Sequence, residues 1–117
     1  MKIKLVSHSK NDDFISILKG KKISSKYSTI FIKKLSNKDT SNLNISFVVK
    51  KKIGNAVTRN KIKRRLRNIM NDAIKKVDIN FEYSYLMIAK KNVAFDKYID
   101  IKNEIFKKIL IVRWLKN

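Results

Sequence analysis

Residues 55–77 constrain this chain more than any other stretch. At about 100° per residue, Ile62, Leu66, Ile69, Met70, Ala73 and Val77 fall within one sector. That spacing predicts a long helix with one buried face, and such a face needs a second layer to cover it. Three apolar runs can supply that layer. Residues 24–35 (SSKYSTIFIKKL) read as a strand, with Tyr27, Thr29 and Phe31 alternating against Ser28, Ile30 and Ile32. Residues 43–49 read as a second strand, apolar enough for a central position, and residues 82–89 as a third.

Two further helices are expected. Residues 11–19 (NDDFISILK) begin on Asn11 as a cap, place Asp12 and Asp13 at the positive end of the helix dipole, and carry a stripe of Phe14, Ile15 and Leu18. Gly20 follows where a helix end favours glycine. Residues 100–115 form a closing helix with Ile101, Ile105, Ile109 and Val112 on one side. Residues 36–42 are a polar loop. With no proline, Ser/Gly linker or repeat, residues 1–117 read as one α+β domain with helices against a single sheet.

Charge narrows the partners. The chain carries 29 Lys+Arg against 9 Asp+Glu, a net +20. Such self-repulsion calls for a polyanion, with nucleic acid first and an anionic membrane surface second. The 44% apolar content still supports a modest core, so the chain is not a disordered basic tail. Without cysteine there is no disulfide scaffold, zinc ribbon or thiol nucleophile. The single histidine, His8, leaves no His-rich metal site, and Gly20 and Gly54 are too far apart for a phosphate-binding glycine loop. Leu5 and Val6 fall short of a signal-peptide core, and no window is apolar enough to span a membrane. The expected location is cytoplasmic.

No catalytic constellation is visible. Asp12 and Asp13 are adjacent and point to different helix faces, while Asp96, Asp100 and Glu104 sit where acidic residues favour a helix start. His8 reads as a surface residue. The arginines are more informative. Only five accompany the 24 lysines, and Arg59, Arg64, Arg65 and Arg67 fall within nine residues. A planar five-donor guanidinium suits bidentate phosphate contacts. On the helix wheel Lys63 and Arg67 lie about 40° and 80° from Arg59, with Asn60 and Arg64 near 100° and 140°. Those five form one polar flank, a candidate RNA or DNA surface. Lys61 and Arg65 fall on the other side, where simple solvation is sufficient. A basic stripe can also be no more than a solvated face, or can meet lipid headgroups. Upstream, Lys50, Lys51 and Lys52 with Gly54 make a phosphate seat at the helix start. Phe14, Tyr27 and Phe31 can line a groove on which unpaired bases stack, and core packing explains Phe14 and Phe31 equally well.

The run KKIGNAVTRNKIKRRLR at residues 51–67 resembles the signature of the bacterial ribonuclease P protein family. NDDFISILKG resembles the family's first helix, with Asp13 and Phe14 as its acidic-Phe pair; ISFVVKKKIG resembles the strand before the signature; YLMIAKK resembles the later strand ending in a basic pair. The resemblance implies a single-domain α/β sandwich with a mostly antiparallel sheet and an unusual left-handed βαβ crossover, an exception to the usual handedness. It also implies that a catalytic RNA, using Mg²⁺, removes the 5′ leader of precursor tRNA endonucleolytically. The protein then assists, one copy per RNA, holding no cofactor, metal or catalytic residue of its own. The signature positions carried over are Lys51, Lys52, Gly54, Asn55, Ala56, Arg59, Asn60, Lys63, Arg64 and Arg67; Arg59, Lys63, Arg64 and Arg67 are expected to bind the catalytic RNA, and Lys51 and Lys52 to hold the leader with the aromatic cleft. The leader cleft is expected at Phe14, Tyr27, Phe31 and Val49. The chain departs from the pattern at Lys50, where the family commonly has a small hydroxyl residue, and at Lys90, often Arg. The alternative readings are a structural ribosomal-type RNA-binding protein and a DNA-binding regulator; the second lacks a helix-turn-helix pair.

Overall fold

The computed structural model describes residues 5–7, 11–34 and 42–112, with the side chains of residues 11–14 outside that description. Its elements are β1 (Leu5–Val6), α1 (Asn11–Leu18), β2 (Lys21–Ser24), β3 (Ser28–Lys34), β4 (Leu43–Val48), α2 (Ala56–Lys76), β5 (Tyr83–Ala89) and α3 (Tyr98–Val112). Short 3₁₀ turns at Lys51–Ile53 and Lys91–Ala94 precede α2 and α3. The strands form one sheet in the order β1-β4-β5-β3-β2. Antiparallel pairing of β2 with β3 and of β3 with β5 carries most of the ladder, while β1–β4 and β4–β5 are parallel. Parallel neighbours need a crossover, and α2 is the crossover of a β4–α2–β5 unit.

The long-period expectations hold. Ile62, Leu66, Ile69, Met70 and Ala73 of α2 are buried in one cluster with Ile101, Ile105, Ile109 and Val112 of α3. Against them lie Ile30 and Ile32 of β3, Leu43 and Ile45 of β4, and Tyr85 and Met87 of β5. Asn55 caps α2, its Oδ1 accepting from Thr58 N at 2.9 Å. The closing helix begins at Tyr98, two residues before the expected Asp100.

Two expectations need correcting. The strand expected over 24–35 is split, because residues 25–27 turn the chain. Ser25 N donates to Ser28 O at 2.9 Å and Tyr27 N to Ser25 Oγ at 3.2 Å, so Ser24 ends a separate edge strand, β2. Leu35 and most of the expected loop lie outside the described residues, as do His8 and Trp114. Among the described side chains of α1, Ile17 is buried, whereas Ile15 and Leu18 of the expected stripe are exposed; the side chain of Phe14 lies outside that description. Gly20 has a use beyond ending the helix: a Cβ there would lie 2.1 Å from Ile32 O, so only glycine lets α1 pass this close to β3.

Candidate nucleic-acid interface

β-Strand alternation divides the sheet into two faces. One packs on α2 and α3. The other presents rows read directly from the register. Val48, Ile88, Thr29 and Ser24 form one row across β4, β5, β3 and β2; Ser46, Leu86, Phe31 and Lys22 form the next. α1 lies over this second face, where Ile17 and Leu86 are buried and Lys33 Nζ donates to Ser16 Oγ. Being short, α1 leaves Val48, Ile88, Thr29 and Phe31 partly exposed. The result is a shallow apolar strip in the middle of a strongly cationic molecule.

One end of this strip is rimmed by lysines, and topology explains why. Parallel β4 and β5 both finish at that end, and antiparallel β3 starts there. Their flanking residues therefore converge: Lys50, Lys51 and Lys52 after β4, Lys90 and Lys91 after β5, and Lys26 before β3. All six are exposed. Lys90 Nζ also donates to Ser25 O at 2.6 Å, fastening β5 to the β2–β3 turn. The rim runs directly into α2 through Gly54 and Asn55. Gly54 has extended backbone (φ 166°), so no unusual conformation demands glycine. Its contribution is space, since a Cβ would sit 3.2 Å from Thr58 Cβ.

The flank of α2 expected to face RNA is open. Asn60, Arg64 and Arg67 are exposed and Arg59 and Lys63 half-buried. The Arg67 guanidinium stands 6.0 Å from the Phe47 ring centroid, which sets this flank beside β4. Arg59 Nε is buried and meets no acceptor among the described residues. Lys51, Lys52 and Asn55 are exposed at the start of the same helix.

Other expected site residues lie elsewhere. Tyr27 is not a cleft residue. It is 2% exposed, on the α3 side of the core, and its hydroxyl donates to Asp96 Oδ2 at 2.8 Å. That bond, with burial second, pushes the phenol up to about 12. The turn at 25–27 breaks the alternation that had grouped Tyr27 with Phe31. Val49 follows β4 with the parity of Ile45 and is buried in the main core, not in the strip. Phe31 is on the strip, and Phe14 lies on α1 with its side chain outside the described residues. Arg65 is not merely solvated: its Nη1 donates to Val93 O at 3.0 Å and to Asp96 O at 2.9 Å, pinning the β5–α3 connection to α2. The acidic residues near α3 also do more than favour a helix dipole. Asp96 accepts from Tyr27, and Glu104 Oε2 lies 3.5 Å from Ser25 Oγ and 3.4 Å from Lys26 N.

The lysine rim escaped the sequence reading as one feature, because its members come from three segments. Its visible signals were separate: the run Lys50–Lys52 before the helix and the pair Lys90-Lys91 ending a strand. Among the described residues no group of three or more His, Cys, Asp or Glu side chains is placed to hold a metal ion. Nor is any helix among them long and apolar enough to cross a membrane.

Comparison with known proteins decides the family. The ribonuclease P family model matches residues 5–112. The chain belongs to the ribonuclease P protein family. The ribonuclease P protein component of Listeria innocua is 33% identical over 108 residues, 92% of this chain and 87% of that one. That of Mesoplasma florum is 37% identical over 86 residues, 74% of this chain and 76% of its own. Among solved structures, a mutant ribonuclease P protein of Staphylococcus aureus superposes with a TM-score of 0.77 at 27% identity, covering 92% of this chain and 87% of the other. The Thermotoga maritima ribonuclease P protein shares the fold, with a TM-score of 0.73 at 21% identity over 90% of this chain and 93% of its own. Within the family frame, the signature run at residues 51–67 joins the lysine turn directly to the part of α2 that carries the open flank.

Proposed function

We propose that this chain is the protein subunit of a cytoplasmic ribonuclease P, binding the catalytic RNA and the 5′ leader of precursor tRNA to promote endonucleolytic maturation of tRNA 5′ ends. Arg59, Asn60, Lys63, Arg64 and Arg67 contact the catalytic RNA, with Asn55 at the helix start, while Lys51 and Lys52 hold the leader. Phe31, together with Phe14, offers the leader an apolar strip within reach of the lysine rim; Tyr27 and Val49 are withdrawn from that role. The RNA carries out the cleavage with Mg²⁺, and one protein serves one RNA.

The observation that carries this reading is the state of the cations on α2. Arg59, Lys63, Arg64 and Arg67 have no carboxylate partner among the described residues, whereas Arg65 on the same helix bonds two backbone carbonyls through Nη1. A buried guanidinium nitrogen without an acceptor, as in Arg59, is costly until something supplies one. The exposed guanidinium groups of Arg64 and Arg67 are suited to phosphate oxygens. The test is reconstitution with a bacterial ribonuclease P RNA and precursor tRNA at low Mg²⁺, measuring 5′ cleavage. Stimulation over RNA alone is expected, with no cleavage by the protein alone. Absence of stimulation would sink the reading.

A further inference from the structure

Phe95 is the one exposed aromatic among the described residues, 70% accessible. Its surroundings are not those of a loose loop. Val93 and Ala94 immediately before it are buried. Phe95 N and Asp96 N both donate to Asn92 O, at 3.1 and 3.0 Å, and Val93 N donates to Lys90 O at 3.2 Å. Asn92 Nδ2 donates to Lys26 O at 3.0 Å. Arg65 of α2 holds the carbonyls of Val93 and Asp96, one on each side of Phe95 in sequence. The backbone is thus fixed from four directions while the ring projects into solvent.

The local charge identifies what such a ring meets. Lys91 and Lys97 are exposed within four residues of Phe95, and Lys61 lies one helical turn before Arg65 on the same side of α2. The neighbouring carboxylate of Asp96 is already occupied, by the Tyr27 hydroxyl and by Lys26 Nζ at 4.0 Å. A rigidly presented aromatic face among free lysines is the arrangement that stacks on an unpaired base while cations take its flanking phosphates. Val57 and Ile99 are also exposed on α2 and α3, so an apolar protein partner is the competing occupant. The positive surroundings favour the polyanion.

We propose that Phe95 is a nucleobase-stacking residue that takes an unpaired base of RNA, with Lys91 and Lys97 holding the adjacent phosphates and Arg65 positioning the loop. The proposal rests on the RNA-binding reading above and extends it to the opposite flank of α2 from Arg64 and Arg67.

The test measures binding of the full-length chain to a bacterial ribonuclease P RNA with precursor tRNA, across a salt series. Phe95→Ala is expected to weaken binding about 5- to 150-fold with the salt slope unchanged, since no charge is lost. Phe95→Trp should retain affinity, and Phe95→Leu, apolar but without a π face, should fall with the alanine variant. Arg65→Leu, checked by circular dichroism for a folded chain, should weaken binding although the ring is still present. Parent-like affinity in the alanine or leucine variant would overturn the stacking role while leaving the family's RNA binding intact. Unchanged RNA binding with altered self-association in sedimentation would assign the patch to a protein contact and likewise overturn it. A parent chain that binds no RNA would overturn both readings at once.

Discussion

The two flanks of α2 both carry arginine and lysine, and those cations meet opposite fates. On the side facing α3, Arg65 is bonded to two backbone carbonyls and Asp72 accepts from Lys102 Nζ at 2.9 Å. On the side facing β4, Arg59, Lys63, Arg64 and Arg67 find no carboxylate among the described residues. The difference teaches that charge density on a helix does not locate an interface. What locates it is which cations the rest of the fold has already used, and here the connection from β5 to α3 uses one flank only.

The strongest way to break this contrast is to empty the open flank. Replacing Lys63, Arg64 and Arg67 together by Ala should lower the salt slope of RNA binding by about two to three units, read from affinities over a salt series. Unfolding free energy should stay within about 0.5 kcal/mol of the parent, as for exposed substitutions. A stability loss comparable to that of a core variant would show that this flank is structural. Next in size is the mirror experiment. Arg65→Ala removes charged hydrogen bonds to two carbonyls and should cost about 2–3 kcal/mol in urea unfolding, with the slope contributed by Arg64 and Arg67 retained. Asn55→Ala sharpens the comparison at the point where both flanks begin: loss of the cap should cost about 1 kcal/mol, measurable as a lower denaturation midpoint.

The smallest effect is in the acid range. The hydrogen bond from Lys102 holds the Asp72 carboxyl below the usual carboxylate range. A depressed folded value means that this pair's contribution is complete above the unfolded pKa and is lost as pH falls through the folded one, so the loss begins below about pH 4. Asp72→Asn should flatten that part of the acid limb in unfolding experiments. An identical acid limb in the variant would detach Asp72 from the inner flank's stability.

What was legible in the sequence follows from the length of its signals. α2 and α3 repeat their apolar positions over several turns, so their buried faces could be assigned residue by residue. β2 carries Lys21 and Lys22 and is followed by Ser-Lys-Tyr, a turn without glycine, proline or asparagine, so nothing marked it as separate from β3. Tyr27 was misplaced for a related reason, because alternation was carried past the start of β3, where the turn at 25–27 resets it; Val49 was carried over from the family resemblance, and strand parity alone puts it with Ile45 in the core. The basic flank was readable because it lies within one helix. The clamp made by Arg65 was not, since its partners are carbonyls at residues 93 and 96, and backbone oxygens have no sequence signature. The lysine rim was invisible as a unit until strand directions brought its three segments together.

The strand order has one more consequence, for how the molecule comes into being. β5 lies between β4 and β3, and neither of those pairs with the other. A chain emerging from the ribosome therefore holds only separate pieces, a β2–β3 hairpin and a short β1–β4 pairing, until residues 83–89 arrive to join them. The basic helix is made before the strand that fixes it in place. Any truncation upstream of Tyr83 should leave not a smaller domain but no sheet core at all.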